Sequence, residues 1–157
     1  MIKKIFLALA LVFLSLGNVH AQDSAYSGPT ADHIAGGLEK VVEKATLYTK
    51  FSKKAKAEYM EKLLAKRLGE IAYAVDNDQD KIETSASRYS TYIGSLTNYA
   101  VANGVSEEKD DLLNLYAKHG ENLSQLRDTF EYDSGWWLAI QHGVNNTEWL
   151  SNDIQKL

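Results

Sequence analysis

Apolar residues recur along this 157-residue chain at spacings that alternate between three and four positions. Residues at these spacings share one face of an α-helix, so each run predicts an amphipathic helix. The two most regular runs have a seven-residue pattern. One consists of Ile82, Ala86, Tyr89, Ile93, Leu96 and Ala100; the other consists of Leu112, Tyr116, His119, Leu123, Leu126 and Phe130. Because their connection is short, we predict that these two helices pack as antiparallel neighbours.

Three other segments also have helical character. After the helix-start signal at Pro29 and Thr30, one apolar helix face comprises Ile34, Leu38, Val41, Ala45 and Tyr48. The next helix has Ser52 as its N-cap, or starts one turn earlier, and its stripe comprises Met60, Leu64, Leu68, Ile71 and Val75. The last segment spans residues 136–154, and residues 143–146 are a candidate break. The pattern predicts an all-α, up-and-down bundle of four to five amphipathic helices.

Turn residues mark the predicted helix ends. Residues 76–78 (DND) end the second helix, and Gly104 follows the end of the third, where glycine is the usual residue. Ser106 is predicted to cap the fourth helix, whose first turn carries two glutamates near the positive end of the helix dipole.

The first residues have the features of a secretory signal peptide. Lys3 and Lys4 precede an apolar run over residues 5–17, and a short segment ending in Ala21 follows. The run is shorter than the roughly 20 residues that span a bilayer. We therefore predict a cleaved signal peptide over residues 1–21 and a single helical-bundle domain over residues 22–157. The mature chain then has no transmembrane segment and is exported, periplasmic or extracellular.

Composition narrows the classes of function. The chain has no cysteine, which excludes disulfides, thiolate metal sites and a thiol nucleophile. It has 17 basic and 21 acidic residues, and removal of Lys3 and Lys4 would leave 15 against 21, a net charge of −6. An acidic chain is a poor ligand for nucleic acid, whose phosphates attract lysine and arginine clusters. We therefore predict no nucleic-acid partner.

The usual catalytic and metal-binding patterns are missing. His33, His119 and His142 have no partner histidine three or four residues away, and no Glu-x-x-His pair occurs. No serine lies in a Gly-x-Ser-x-Gly elbow, and no phosphate-binding glycine loop occurs. We predict a protein that is not an enzyme and holds no metal or cofactor. His119 belongs to an apolar stripe, so we expect it to be a core or boundary residue.

Two pairs of residues are candidate sites. Arg67 and Glu70 have the i, i+3 spacing of a helical ion pair, which we interpret as structural; an anion-binding Arg67 is the alternative. Trp136 and Trp137 are adjacent, and neighbouring helix positions point about 100° apart. One indole is therefore a candidate partner contact, the alternative being that both pack against the protein. Asn122 and Asn145 begin N-glycosylation sequons.

Residues 29–103 have a recognisable order of features. A helix around residues 38–40 precedes the lysine-rich SKKAKAE at residues 52–58, and LLAKRLGEI follows at residues 63–71. The next helix carries the spaced tyrosines Tyr89 and Tyr92. This order resembles a family of exported bacterial α-helical domains known only as a domain of unknown function. The resemblance implies a non-catalytic, extracytoplasmic helical module and assigns no catalytic residue.

Together these features predict a secreted or periplasmic, non-catalytic helical module that binds a protein or another component of the cell envelope. A small periplasmic chaperone or stress-sensor-like protein is the first alternative, because an exposed apolar groove would serve it. An exported hydrolase is disfavoured by the missing constellation of acid, base and nucleophile.

Overall fold

The computed structural model describes residues 26–157, and this part of the chain is all-helical, with no strand. The predicted signal peptide at residues 1–21 lies outside the described residues. Short 3₁₀ turns at Gln79–Lys81 and Ser106–Glu108 precede the third and fourth helices. The five α-helices are α1 (Gly37–Tyr48), α2 (Lys53–Asn77), α3 (Ile82–Asn103), α4 (Lys109–Arg127) and α5 (Gly135–Ile154). None of these helices is long and apolar enough to cross a membrane.

Helices α2 to α5 form the bundle. Helix α3 packs between α2 and α5, and α5 also packs along α4. Their apolar stripes meet in one core, as the periodicity predicts. Every member of the α3 stripe is buried, as are the α4 stripe residues up to Leu126; Phe130 lies beyond the end of α4. The all-helical bundle predicted from the sequence is therefore confirmed for the described residues.

The prediction that α3 and α4 pack side by side was wrong, because α5 is the helix that packs extensively against both. Helices α3 and α4 lie diagonally across the bundle and meet through long side chains. The Tyr89 hydroxyl lies 3.2 Å from His119 Nδ1, and the hydroxyls of Thr97 and Tyr116 lie 2.8 Å apart. A seven-residue stripe identifies the face that points to the core, but it does not specify which helix becomes the neighbour.

Three predicted helix ends agree with the structure, among them the end of α2 at Asn77, and two predictions fail. Ser52 Oγ accepts a hydrogen bond from the Ala55 N–H, so α2 starts at Lys53 and not a turn earlier. Gly104 has φ +60°, the left-handed conformation that glycine adopts most easily. Ser106 does not cap α4; it starts a 3₁₀ turn, and α4 begins at Lys109. Residues 143–146 continue α5 without a break, and buried Gly143 packs closely against Leu123 there.

Helix α1 departs furthest from expectation. It begins at Gly37, well after Pro29, so Ile34 lies outside it. Its apolar face points to solvent: the exposed fractions are 81% for Leu38 and 64% for Val41. The buried residue of α1 is instead a charged one, Glu43, at 6%. An amphipathic helix normally buries its apolar face, so the reversed orientation of α1 needs a separate cause.

Candidate functional site

A cluster of charged side chains joins α1 to the bundle. It consists of Glu39 and Glu43 from α1, Lys66, Arg67 and Glu70 from α2, and Arg88 from α3. We call these six residues the charge cluster. It contains three cationic and three anionic groups, so its formal charges balance when all are ionised. This balance allows charges to remain buried, because each has a partner of opposite sign.

Arg67 is the centre of the charge cluster and is fully buried. Its Nη1 donates to Glu70 and its Nη2 donates to Glu43. The guanidinium also lies over the Tyr92 ring, 4.7 Å from the ring centroid. The structure thus brings together Arg67 and Glu70, the pair singled out from the sequence. Both Nη groups are occupied by carboxylates, which favours a structural role for this arginine over anion binding from solvent.

Glu70 connects three parts of the chain. Besides Arg67, it accepts hydrogen bonds from Arg88 Nη1 at 3.0 Å and from the Ala35 backbone N–H at 3.1 Å. The segment before α1 must cross α2 closely to make this contact. Gly69 permits the approach, because a Cβ there would lie 2.8 Å from the Thr30 carbonyl carbon. The glycine and the glutamate that follows it therefore anchor the N-terminal segment together.

Lys66 lies at the edge of the charge cluster and contacts both glutamates of α1. Its Nζ donates to Glu39 and, at 2.6 Å, to Glu43. Burial opposes the charge on this lysine, but the two carboxylates outweigh burial and raise its pKa. Hydrogen bonds from Lys66 and from His33, whose Nε2 lies 3.0 Å from Glu39, lower the pKa of Glu39 to about 2. Every carboxylate of the cluster is thus hydrogen-bonded to a cationic group.

The opposite side of α1 carries an exposed apolar surface. It comprises Leu38, Val41, Val42, Ala45 and Tyr48, and Phe51 continues it past the end of the helix. We call these six residues the outer face of α1. Successive helix residues are 100° apart, so Glu43 and Ala45 lie nearly opposite each other. The ion pairs of Glu39 and Glu43 therefore fix the direction in which the outer face points.

Trp136 and Trp137 lie at the start of α5 and pack against the connection from α4. Trp136 is 40% exposed and contacts Phe130, with ring centroids 5.4 Å apart. Trp137 is half-buried between the Tyr132 ring, 4.7 Å away, and the Arg127 guanidinium, 5.2 Å away. Neither indole enters the buried core. Both pack locally while keeping part of their surface accessible, so their role as a partner contact stays a prediction.

The three histidines within residues 26–157 each contact different polar side chains. Among residues 26–157, no three histidine, aspartate or glutamate side chains are grouped so as to hold a metal ion. His142 Nδ1 lies 3.5 Å from Ser90 Oγ and 3.3 Å from Asn146 Nδ2. In a catalytic triad, one ring nitrogen of the histidine contacts the nucleophile and the other contacts the orienting group. Both contacts of His142 are made by Nδ1.

His119 and Asn122 are buried polar residues of α4. Burial lowers the pKa of His119 to about 4, so it is neutral at physiological pH, with its Nδ1 next to the Tyr89 hydroxyl. Asn122 is only 3% exposed. The amide that begins its sequon is therefore inaccessible to glycan attachment in the folded protein. Asn145, which begins the second sequon, is exposed on α5.

Comparison of the chain with protein-family models, with curated proteins and with solved structures finds no match. The resemblance to exported helical domains therefore stays a prediction.

Sequence reasoning found Arg67 and Glu70 but missed their partners Glu43 and Arg88, as well as Lys66 and Glu39. One signal was present. Glu39 and Glu43 are four residues apart and lie on the side of α1 opposite its apolar residues. The adjacent Lys66 and Arg67 offered two cations that match them. The sequence does not contain the distance between the two helices, so it could not reveal this pairing.

Proposed function

We propose that this protein is an exported, non-catalytic helical module, periplasmic or extracellular, that binds a component of the cell envelope through the outer face of α1. The observation that carries the proposal is the orientation of α1, which leaves a row of apolar side chains in solvent. Scattered exposed apolar residues are ordinary, but a contiguous apolar surface is typical of an interaction site. The charge cluster holds this surface in place and buries three charged groups, those of Glu43, Arg67 and Glu70.

The non-catalytic part of the proposal is supported by the arrangement of reactive groups. The carboxylates of the charge cluster are all engaged by cations, so none is free to act as a base. Catalysis needs a nucleophile or base with an orienting partner and room for substrate. The two contacts of His142 on a single nitrogen do not meet that requirement.

The proposal is tested by binding to isolated envelopes of an exporting host. Leu38→Glu places a charge on the outer face, and Leu138→Glu is its matched control on α5, where Leu138 is 48% exposed. We expect Leu38→Glu to lower envelope binding by at least about ten-fold, because a buried leucine contributes some 1.5–3 kcal/mol, and Leu138→Glu to bind like the parent. Equal binding by Leu38→Glu and the parent would contradict the proposal.

The same experiment addresses the tryptophan hypothesis. Leu138 follows Trp136 and Trp137 directly, and exposed Tyr132 lies against Trp137. Loss of binding by Leu138→Glu and by Trp136→Ala, with the Leu38 variant unaffected, would assign the contact to this end of the bundle instead. Circular dichroism and melting curves separate such a loss from unfolding.

A chaperone-like or stress-sensor-like role is the second candidate function. It is favoured by the same exposed row of Leu38, Val41 and Val42, since a convex apolar surface also fits unfolded segments of other proteins. We expect a chaperone to suppress aggregation of a thermally unfolding client enzyme, and Leu38→Glu to lose that effect. Aggregation that proceeds equally with and without the parent protein would contradict this candidate.

A further inference from the structure

We propose that the occupant of the outer face of α1 is the surface of a lipid bilayer that contains anionic headgroups. This inference rests on the proposed function and names the class of its partner. Helix α1 would lie in the plane of the interface, with its apolar side chains among the acyl chains and the nearby lysines against the headgroups. The bundle would remain in water and the charge cluster would connect the two.

The distribution of charge supports an anionic partner. Six lysines and two glutamates lie within residues 37–56, a net charge of +4 in a chain whose total is −4, so the remainder carries −8. Both glutamates face inward and are paired with Lys66 and Arg67. Lys54 is paired with Glu108, and the other five lysines keep this segment positive, while the rest of the protein would be repelled by an anionic surface. This asymmetry orients α1 towards the bilayer.

The arrangement of side chains on α1 fits an interfacial helix. Lys44 is exposed, three residues after Val41 and four before Tyr48, and so it borders the outer face. A lysine at that position can extend its ammonium group towards headgroups while its methylenes stay in apolar surroundings. Tyr48 and Phe51 supply aromatic rings at the end of the face, and Phe51 is 98% exposed. Apolar residues bordered by lysines are typical of helices that lie on membranes.

Two other occupants fit the observations less well. A second copy of the chain would form a symmetric contact in which each partner offers the same surface, and this would bring one cationic segment against the other. A protein partner is disfavoured by the lysines, since lysine is depleted in protein–protein interfaces. The outer face is also the side of a single helix, which is convex.

The test is co-sedimentation of the full chain, as purified from an exporting host, with vesicles of defined composition. One set contains phosphatidylglycerol and phosphatidylcholine at about 3:7, and the other contains phosphatidylcholine alone. We expect binding to neutral vesicles to be at least about five-fold weaker than binding to anionic vesicles. Binding to the anionic vesicles should weaken as NaCl rises from about 0.1 M to about 0.5 M.

Matched variants identify the surface. Leu38→Glu and Lys44→Gln should each weaken binding to the anionic vesicles, by at least about ten-fold and about two- to five-fold respectively. Their controls, Leu138→Glu and Lys118→Gln, change an exposed leucine on α5 and an exposed lysine on α4 and should bind like the parent. All variants carry the same N-terminus, so differences between them do not depend on residues 1–25. Circular dichroism confirms that each variant is folded.

The outcomes separate this inference from the proposed function. No binding to either vesicle, together with loss of envelope binding by Leu38→Glu, would overturn the lipid assignment and leave a protein as the occupant. A dimer that Leu38→Glu dissociates would assign the outer face to a second copy and would also overturn it. Equal binding of parent and Leu38→Glu to both vesicles and envelopes would overturn both proposals.

Discussion

Helices α1 and α3 are both amphipathic, yet they meet the rest of the protein with opposite faces. Helix α3 buries every residue of its apolar stripe, including Tyr89, Ile93 and Leu96. Helix α1 turns Leu38 and Val41 to solvent and buries Glu43. Helical periodicity tells which residues share a face, whereas the partners available nearby decide which face is buried.

The two helices are therefore held by different forces. Burial of apolar surface stabilises α3. Because the hydrophobic effect is not directional, many different apolar side chains could cover its stripe. The side of α1 that faces α2 depends on a few ion pairs with defined geometry, which contribute only while both partners are present and ionised. We expect the two regions to respond differently to substitution and to pH.

The largest effect is expected for Arg67→Met, which would leave Glu43 and Glu70 buried without their central cation. Breaking a buried ion pair from one side typically costs about 3–5 kcal/mol, and we expect the free energy of unfolding to fall by this amount in urea denaturation. Lys156→Met is the control, because Lys156 pairs with Asp153 at the surface, and it should cost less than about 1 kcal/mol. If both variants were equally stable, the charge cluster would not hold the fold together.

A pair of leucine substitutions compares the two helices directly. Leu96→Ala on α3 removes a fully buried side chain and should lower the free energy of unfolding by about 2–5 kcal/mol. Leu38→Ala on α1 removes a side chain that is mostly in solvent and should stay within about 0.5 kcal/mol of the parent. A large loss of stability in Leu38→Ala would mean that the outer face packs against the protein, and the comparison would fail.

The pH dependence should separate the two regions at moderately acid pH. Burial holds the pKa of His119 at about 4, below its ordinary value of 6.5, so the unfolded chain binds the proton first. Stability is then full above pH 6.5 and falls as the pH drops towards 4, by about 2 kcal/mol at pH 5. His119→Gln should remove this loss, which denaturation curves at pH 7 and pH 5 measure. An identical loss of stability in the parent and in His119→Gln would contradict the assignment of this loss to His119.

The ion pairs of α1 should fail in a lower range of pH. The pKa of Glu39 is lowered to about 2 by its hydrogen bonds from Lys66 and His33. Its contribution is therefore complete above its ordinary pKa of 4.5 and is lost as the pH falls towards 2. We therefore expect α1 to detach between pH 4.5 and pH 2, which hydrogen exchange of its amides measures. The loss of stability caused by His119 should appear first as the pH is lowered.

Much of the fold was accessible from the sequence because α3, α4 and most of α2 obey one rule, that apolar residues at helical spacing are buried. Ser52 and Gly104 were predictable for a similar reason, since capping is a local property of the backbone. The order of helices around the bundle was not accessible. The stripes that contain Tyr89 and His119 point to a common core whether α3 and α4 are neighbours or lie diagonally.

The candidate site was harder to predict because it depends on contacts between distant segments. Arg67 and Glu70 were visible as a pair within one helix, but Glu43 is 24 residues from Arg67 along the chain. The same spacing rule that predicts the α3 core correctly does not show that Leu38 and Val41 face solvent. The rule considers only apolar residues, whereas Lys66 and Arg67 on α2 form ion pairs with the acidic side of α1 and turn that side inward.

The accessibility of the outer face in solution without lipid tests the orientation of α1 most directly. The chain has no cysteine, so a single introduced thiol reports one position. Ala45→Cys lies on the exposed side of α1, and Ala86→Cys is its matched control in the α3 stripe, where Ala86 is 2% exposed. Reaction with a thiol reagent is measured for each variant, native and in denaturant. We predict that native Ala45→Cys reacts nearly as fast as in denaturant, whereas native Ala86→Cys is strongly protected. Equal protection of the two thiols would contradict this orientation and show that α1 buries its apolar face.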